Sequence, residues 1–211
     1  AARGSGCQDR GVLFCVDAIQ ALGCMPIDVR AMKIDFLSAD GHKWLLGPEG
    51  AGLFYCRHEL LGLLRPSSLG WLGVKNAHDF TSYRLEFRDD ARRFDGGSYN
   101  VAGIWGLGAS IDWMLELGVD RIWQRVKSLT DRLVEGVRAK GYRVVSSREA
   151  GEESGIVSFV SATHDHNRIV SHLRQEYRTV ISARLGRLRV SPHFYNTEAE
   201  IDQLVEHLPT H

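Results

Sequence analysis

The chain has 211 residues, with 26 basic and 26 acidic side chains and no formal net charge. That length suits one large domain or two small ones, and a hydrophobic content of 44% is enough for a real core. Charge balance removes any bulk case for nucleic acid or an anionic membrane surface, and no apolar run approaches the ~20 residues that span a bilayer.

The start, AARGSGCQDRG, has neither an apolar signal core nor an initiator Met, and so reads as a fragment or a processed chain. Gly11 to Val16 is a short apolar run rich in β-formers that ends at Asp17. Its unbroken hydrophobicity predicts a strand buried on both faces, as in a parallel sheet. Ile34 to Ala39 and Ala51 to Cys56 predict two more strands, separated by the turn Gly47-Pro48-Glu49-Gly50. The segment between the first two runs could hold a short helix or a crossover. Residues 65–95 mix Gly, Ser, Asn, charges and aromatics and predict a long irregular excursion.

From Asn100 the pattern turns helical. Asn100 is a candidate N-cap, and Ile104, Leu107, Ile111 and Leu115 recur at helical spacing. Gly103, Gly106 and Gly108 weaken that helix and suggest close packing on one side. A second helix follows Gly118, with Ile122, Val126, Leu129, Leu133 and Val137 on one face, and Gly141 ends it. Strands near Tyr142–Ser146 and Gly155–Val160, a helix near His166–Tyr177, and strands near Val180–Ala183 and Leu188–Ser191 come next. Asn196-Thr197 then caps a last helix to about Leu208. The chain is therefore α/β, with a small lobe of its own after Gly118.

The cysteines are Cys7, Cys15, Cys24 and Cys56. Their spacing matches neither a redox pair nor a zinc site. Cys15 and Cys56 fall in apolar runs, where a thiol acts as a small core hydrophobe, and a reduced cytoplasmic protein is expected. His164-Asp165-His166 with His172 fits no zinc spacing, and polar residues opening a helix account for it, so no metal is expected. The glycines of GWLG and FDGG match no dinucleotide fingerprint.

Ligands of open α/β sheets sit beyond the carboxyl ends of parallel strands. Asp17 ends the first run, and Asp40-Gly41-His42-Lys43 ends the second. Taken singly, an Asp there also serves as a turn residue or cap, and a Lys as a surface charge. Taken together, a carboxylate and an amine at neighbouring strand ends suit pyridoxal phosphate. That cofactor needs a lysine for its Schiff base and an acid to keep its pyridine nitrogen protonated. Burial beside Trp44 and Leu45 would favour the free amine.

VDAIQALG (Val16–Gly23) and DFLSADGHKWLLGPEGAGLFY (Asp35–Tyr55) together resemble the class V aminotransferase family of fold-type I pyridoxal phosphate enzymes. Cysteine desulfurases, selenocysteine lyases, isopenicillin N epimerase and kynureninase belong to that family. The resemblance runs from about Gly11 to the C-terminus. It implies Lys43 as the catalytic, Schiff-base lysine, Asp17 at the pyridine nitrogen, Gln20 by the phenolic oxygen and His42 at the phosphate. RRFDGGSYNVAGIWGLGAS resembles a stretch in which a small hydroxyl residue reaches a partner's phosphate across a dimer interface, which implies Ser98 and a homodimer with shared active sites. Alternatively Ser98 and Asn100 simply cap the next helix. LRVSPHFYNTEAEID resembles the segment whose arginine grips the substrate carboxylate, which implies Arg189 and an amino-acid substrate.

Two departures bear on the reaction. Family members often have Ser or Thr at the position of Asp40, and a carboxylate beside a phosphate is unfavourable, so the role of Asp40 is left open. Cysteine desulfurases carry a nucleophilic Cys shortly before the carboxylate-binding Arg, whereas TVISARLGRLR has none. Persulfide chemistry needs that thiolate, so a transaminase-like reaction is expected first, with epimerisation or sulfur or selenium elimination as the alternative. By the resemblance, residues 1–117 are the C-terminal part of the cofactor-binding large domain and 118–211 the small domain. The upstream phosphate-cradling segment is not in this sequence. A non-catalytic remnant is the rival from another class.

Overall fold

A computed structural model describes residues 2–210; Ala1 and His211, at the outer ends of the two expected domains, lie outside the described residues. The chain divides into two compact units. One is built from residues up to Leu22 and from Ile27–Trp113, the other from Gly23–Pro26 and the residues from Met114 on.

The first unit opens with a short helix, α1 (Ala2–Gln8), that the glycine-rich sequence did not announce. Its sheet has the order β1-β2-β3, with β1 at Cys15–Asp17, β2 at Phe36–Asp40 and β3 at Gly52–Cys56. β2 and β3 overlie the expected second and third runs, with β2 ending one residue later, whereas the first run forms a strand only at its end, and residues 11–14 before it are not strand. β1 and β2 are parallel, and β3 returns antiparallel to β2. Between β1 and β2 the chain crosses over through turns and not a helix: Ala21 and Leu22 donate to the Ala18 carbonyl, and the Asp28 carboxylate accepts from the Arg30 and Ala31 amides.

Alternation along the strands separates two faces. Val16, Leu37, Ala39 and Tyr55 face a cluster made by Phe14, Leu22, Ile27, Val29 and Met32. The other face carries Cys15, Asp17, Ser38, Asp40 and Phe54, all exposed. Burial on both faces of β1 is therefore not observed, and Cys15 is an exposed thiol and not a core residue, because its face of the sheet is uncovered beside β1. Cys56 is buried with Phe36 and Leu61. The excursion 65–95 is tied by an isolated bridge between Val74 and Phe87, by Arg88 Nε donating to the Leu72 carbonyl at 2.7 Å, and by Lys75 paired with Glu86 and Asp89.

Asp35 anchors this sheet. Its buried carboxylate accepts from the Phe14 amide at 2.8 Å and pairs with Arg57 at 2.9 Å. The entry to β1 and the exit from β3 are thus fixed to the start of β2.

Helix α2 (Val101–Leu117) begins as expected at Asn100, whose Oδ1 accepts from the Gly103 amide at 3.0 Å. The predicted apolar face is only partly used. Leu107 is buried at 4% exposure, while Ile104 and Leu115 are 50% and 63% exposed. The helix is apolar around most of its girth, so periodicity alone could not choose which residue meets a neighbour.

In the second unit, α3 (Val119–Ala139) buries Ile122, Val126, Leu129, Leu133 and Val137, as its pattern predicts. Gly141, at φ 87°, follows its end. The sheet has the order β4-β5-β7-β6, antiparallel throughout, from Arg143–Val144, Val157–Val160, Arg187–Val190 and Ser182–Arg184. α4 (His166–Tyr177) is capped by Asp165, and α5 (Glu198–His207) by the reciprocal Thr197–Glu200 capping box. Val157, Phe159, Leu188 and Val190 of the sheet pack with Leu129, Leu133, Leu173 and Leu204 from the three helices. His166 Nε2 accepts from the Ser161 amide at 3.0 Å, a structural task for that imidazole. No helix among the described residues is long and apolar enough to cross a membrane.

Candidate active site

Because β1 and β2 run parallel, with Asp17 opposite Ser38, the turn after β1 and the turn after β2 leave the same end of the sheet. The first turn is VDAIQALG. Asp17 is exposed, and its Oδ1 accepts from the Ile19 amide at 3.0 Å. Ala18 is fully buried and its amide donates to the Ser38 carbonyl at 2.8 Å, which extends the β1–β2 pairing by one bond. Gln20, half-buried, accepts at Oε1 from the indole N–H of Trp44 at 3.1 Å. That bond joins the first turn to the residue next to Lys43.

The second turn, Gly41–Gly50, is a compact loop. The Gly41 amide donates to the Ala51 carbonyl and the Gly47 amide to the Gly41 carbonyl, each at 2.8 Å. Trp44 and Leu45 are each only 5% exposed, and Lys43 beside them is half-buried. Helix α2 holds the loop from one side. Leu107 packs against Gly41 and Gly47 so closely that a Cβ on either would lie 2.8 or 2.7 Å from its methyl group. Ser110 Oγ donates to the Leu45 carbonyl at 2.5 Å, and Asn100 Nδ2 to the Gly50 carbonyl at 3.0 Å. The glycines are needed because a helix side chain fills the space where their own would stand.

On the open face of the sheet, Asp17, Ser38, Asp40 and Phe54 line a shallow cavity of about 390 Å³. His42 is exposed, with Nδ1 4.0 Å from the Asp40 carboxylate. Its Nε2 carries no hydrogen bond among the described residues. Ser98 is exposed, two residues before the cap made by Asn100.

Arg189 lies in the second unit, on β7, opposite Ser182 of β6 and Ser158 of β5. It is half-buried and lines a cavity of about 460 Å³ together with Tyr177, Asn196 and Glu200. Burial, and next the charge of Arg184, hold its guanidinium below the ordinary arginine range. β6 and β7 are joined by Leu185-Gly186 alone, at φ 50° and 68°, a two-residue turn of the kind that suits a twisted hairpin. No cysteine stands there. Cys24, buried in this unit, has its thiol pushed up to about 12 by burial, which makes it a poor nucleophile.

Sequence reading missed the parts that hold the site: the Gln20–Trp44 bond, Ser110, the fit of Leu107 to the two glycines, and Asp35. No local pattern marks them, since each acts on a partner more than twenty residues away.

An α/β chain with a mixed sheet, carrying an acid and a lysine on turns that leave one end of that sheet, defines the class of protein. The chain belongs to the class V aminotransferase family, whose model matches residues 3–204. It is 35% identical to a probable cysteine desulfurase from Methanothermobacter thermautotrophicus, over 95% of this chain and 53% of the relative. It is 28% identical to the uncharacterized aminotransferase YcbU of Bacillus subtilis, over 95% of this chain and 52% of that one. Among solved structures, the apo cysteine desulfurase from Thermococcus onnurineus NA1 superposes with a TM-score of 0.87 at 26% identity, covering 96% of this chain and 53% of that one. A variant of the lyase C-DES with glycine covalently linked to its PLP cofactor shares the fold at 23% identity and a TM-score of 0.83, covering 92% of this chain and 51% of that one. The chain spans about half the length of the relatives it matches.

Proposed function

We propose that this chain is the C-terminal half of a pyridoxal phosphate-dependent enzyme that acts on the α-amino group of an amino acid. In this reading residues 1–117 contribute to the cofactor-binding domain and 118–211 form the small domain. The observation that carries it is the Gln20–Trp44 hydrogen bond, which ties the Asp17 turn to the Lys43 turn. The donor set suits the cofactor chemically. A carboxylate for a pyridine nitrogen and an amine for an aldehyde stand on two turns at one end of the sheet, with an open cavity at Asp17.

When bound, the cofactor supplies an electron sink for bonds broken at the substrate's α-carbon. Asp17 would hold the proton on its ring nitrogen. Lys43 would supply the amine that binds it, and that amine is the base this reading assigns to the α-proton. Gln20 is the residue by the phenolic oxygen, but its Oε1 already accepts from Trp44, so only its amide N–H is available to donate. His42 would offer Nε2 to the phosphate. Asp40 lies on its Nδ1 side at 4.0 Å, beyond hydrogen-bond length, and is given no phosphate contact. Ser98 serves the partner subunit's phosphate in a homodimer, and Arg189 binds the substrate carboxylate in paired hydrogen bonds.

The reaction favoured is transamination-like. The two-residue Leu185-Gly186 turn and the lack of a cysteine between Thr179 and Arg189 support a route without a persulfide-forming thiol. Elimination or epimerisation is the second reading, supported by relatives named cysteine desulfurase. Borohydride reduction of the full-length protein, followed by peptide mass mapping, tests the core of this. The cofactor mass should sit on the Lys43 peptide and vanish in Lys43→Ala. Retention of the label in that variant overturns the reading. Product analysis for keto acid, inverted stereocentre or sulfide then selects the reaction.

A further inference from the structure

The β6–β7 hairpin carries three arginines on one face. Arg184 stands opposite Arg187, Arg189 stands opposite Ser182, and residues two apart on a strand share a face. The opposite face, with Leu188 and Val190, belongs to the core. Like charges directly opposite one another destabilise a hairpin. Here no carboxylate compensates them: none of the three arginines has an ion pair or a hydrogen bond through its side chain among the described residues. Protection of an exposed sheet edge by charge does not explain the set. β6 is the edge, but Arg187 and Arg189 lie on β7, which is paired on both sides. Next to Arg189 the same face carries the hydroxyl residues Ser158 and Ser182. The nearness of Arg184 is also felt by Arg189, whose guanidinium it holds down after burial has done so.

We propose that Arg184 and Arg187 form a second carboxylate subsite beside Arg189, so that the substrate or amino-group partner of this enzyme is a short dicarboxylic acid. The inference rests on the reading of Arg189 as the residue that takes the α-carboxylate. Arg184 lies diagonally across the hairpin from Arg189, a separation of about 7–8 Å. Long guanidinium side chains at that spacing can converge on the two ends of one small dianion. A substrate with a single carboxylate, such as alanine or cysteine, would leave Arg184 and Arg187 facing each other uncompensated.

Calorimetric titration of the full-length, cofactor-loaded protein tests this with ligands that cannot react. Succinate and glutarate should bind about ten-fold or more tighter than butyrate, the effect of one added charged hydrogen-bonding group. The Arg184→Gln/Arg187→Gln double substitution should erase that preference and leave butyrate unchanged, and Arg184→Lys should retain part of it. Arg189→Gln should weaken both ligand classes. Equal affinity for succinate and butyrate, or a preference that survives the double substitution, overturns the inference. If Arg189→Gln weakens both classes while the double substitution changes neither, the subsite is wrong and the reading of Arg189 stands. If Arg189→Gln changes neither, the reading of Arg189 itself fails. Near-ultraviolet circular dichroism confirms that the variants are folded.

Discussion

The indole N–H of Trp44 donates to the side-chain oxygen of Gln20 at 3.1 Å, and this one bond joins the turn that presents Asp17 to the turn that presents Lys43. The strands behind them set only a common direction. The bond sets how the two turns lie against each other. Gln20→Ala should destabilise the fold by about 0.5–1.5 kcal/mol, and a double-mutant cycle with Trp44→Phe should show coupling of similar size. Denaturant unfolding measures both. Strict additivity would mean that the bond contributes nothing.

The glycines around Lys43 make a sharper test, because their neighbours differ. A Cβ on Gly47 would meet a Leu107 methyl at 2.7 Å, with the Gly41 carbonyl next at 3.2 Å. A Cβ on Gly41 would meet the same side chain at 2.8 Å and the rigid Ala51 carbonyl at 2.9 Å. Each Ala substitution should cost about 1–3 kcal/mol by overpacking. In a Leu107→Ala background the Gly47→Ala penalty should largely disappear, while that of Gly41→Ala should persist. Thermal melts of the three single and two double variants decide it.

Asp35 is buried, and Arg57, its ion-pair partner, is 40% exposed at the side chain. Removing the carboxylate strands the Phe14 amide, while the partly exposed guanidinium keeps water and Glu59. Asp35→Ala should cost about 1–3 kcal/mol. The Asp35→Ala/Arg57→Met pair should cost less than the sum of the single changes. A sum reached in full would show that the two residues act independently.

In the second unit, acid stability turns on ion pairs between α3 and α5. Arg125, bonded to Glu198, lowers that carboxyl from its ordinary 4.5 to about 2, and Arg132, bonded to Asp202, holds that carboxyl below its ordinary range. A folded-state value below the unfolded one stabilises the fold above the unfolded value. That contribution is lost as the pH falls from about 4.5 toward 2. Unfolding free energy should therefore decline across this window. Arg125→Ala/Arg132→Ala should flatten the decline. An unchanged slope in that variant would place the acid sensitivity elsewhere.

Where α3 meets α5, Gly136 has no room for a side chain. A Cβ on Gly136 would lie 2.7 and 2.8 Å from the two methyl groups of Val205. Gly→Ala inside a helix ordinarily gains up to about 1 kcal/mol. Here overpacking of a stiff, branched side chain should outweigh that gain, and Gly136→Ala should lower the melting temperature. In a Val205→Ala background the same change should raise it.

Much of this protein was legible along the chain because the determinants are local. Asn100, Asp165 and Thr197 cap helices through atoms three residues away, and the stripe of α3 repeats every turn, so short-range chemistry suffices to see them. The two motifs around Asp17 and Lys43 were equally readable as strings. Tertiary structure alone decided that Leu107 and Met114 and not Ile104 are buried on α2, that Cys15 faces out, and that Arg184 and Arg187 oppose each other with no counter-charge among the described residues. Burial and charge compensation depend on what the remainder of the chain brings into contact, and that is a property of packing which no window of sequence contains.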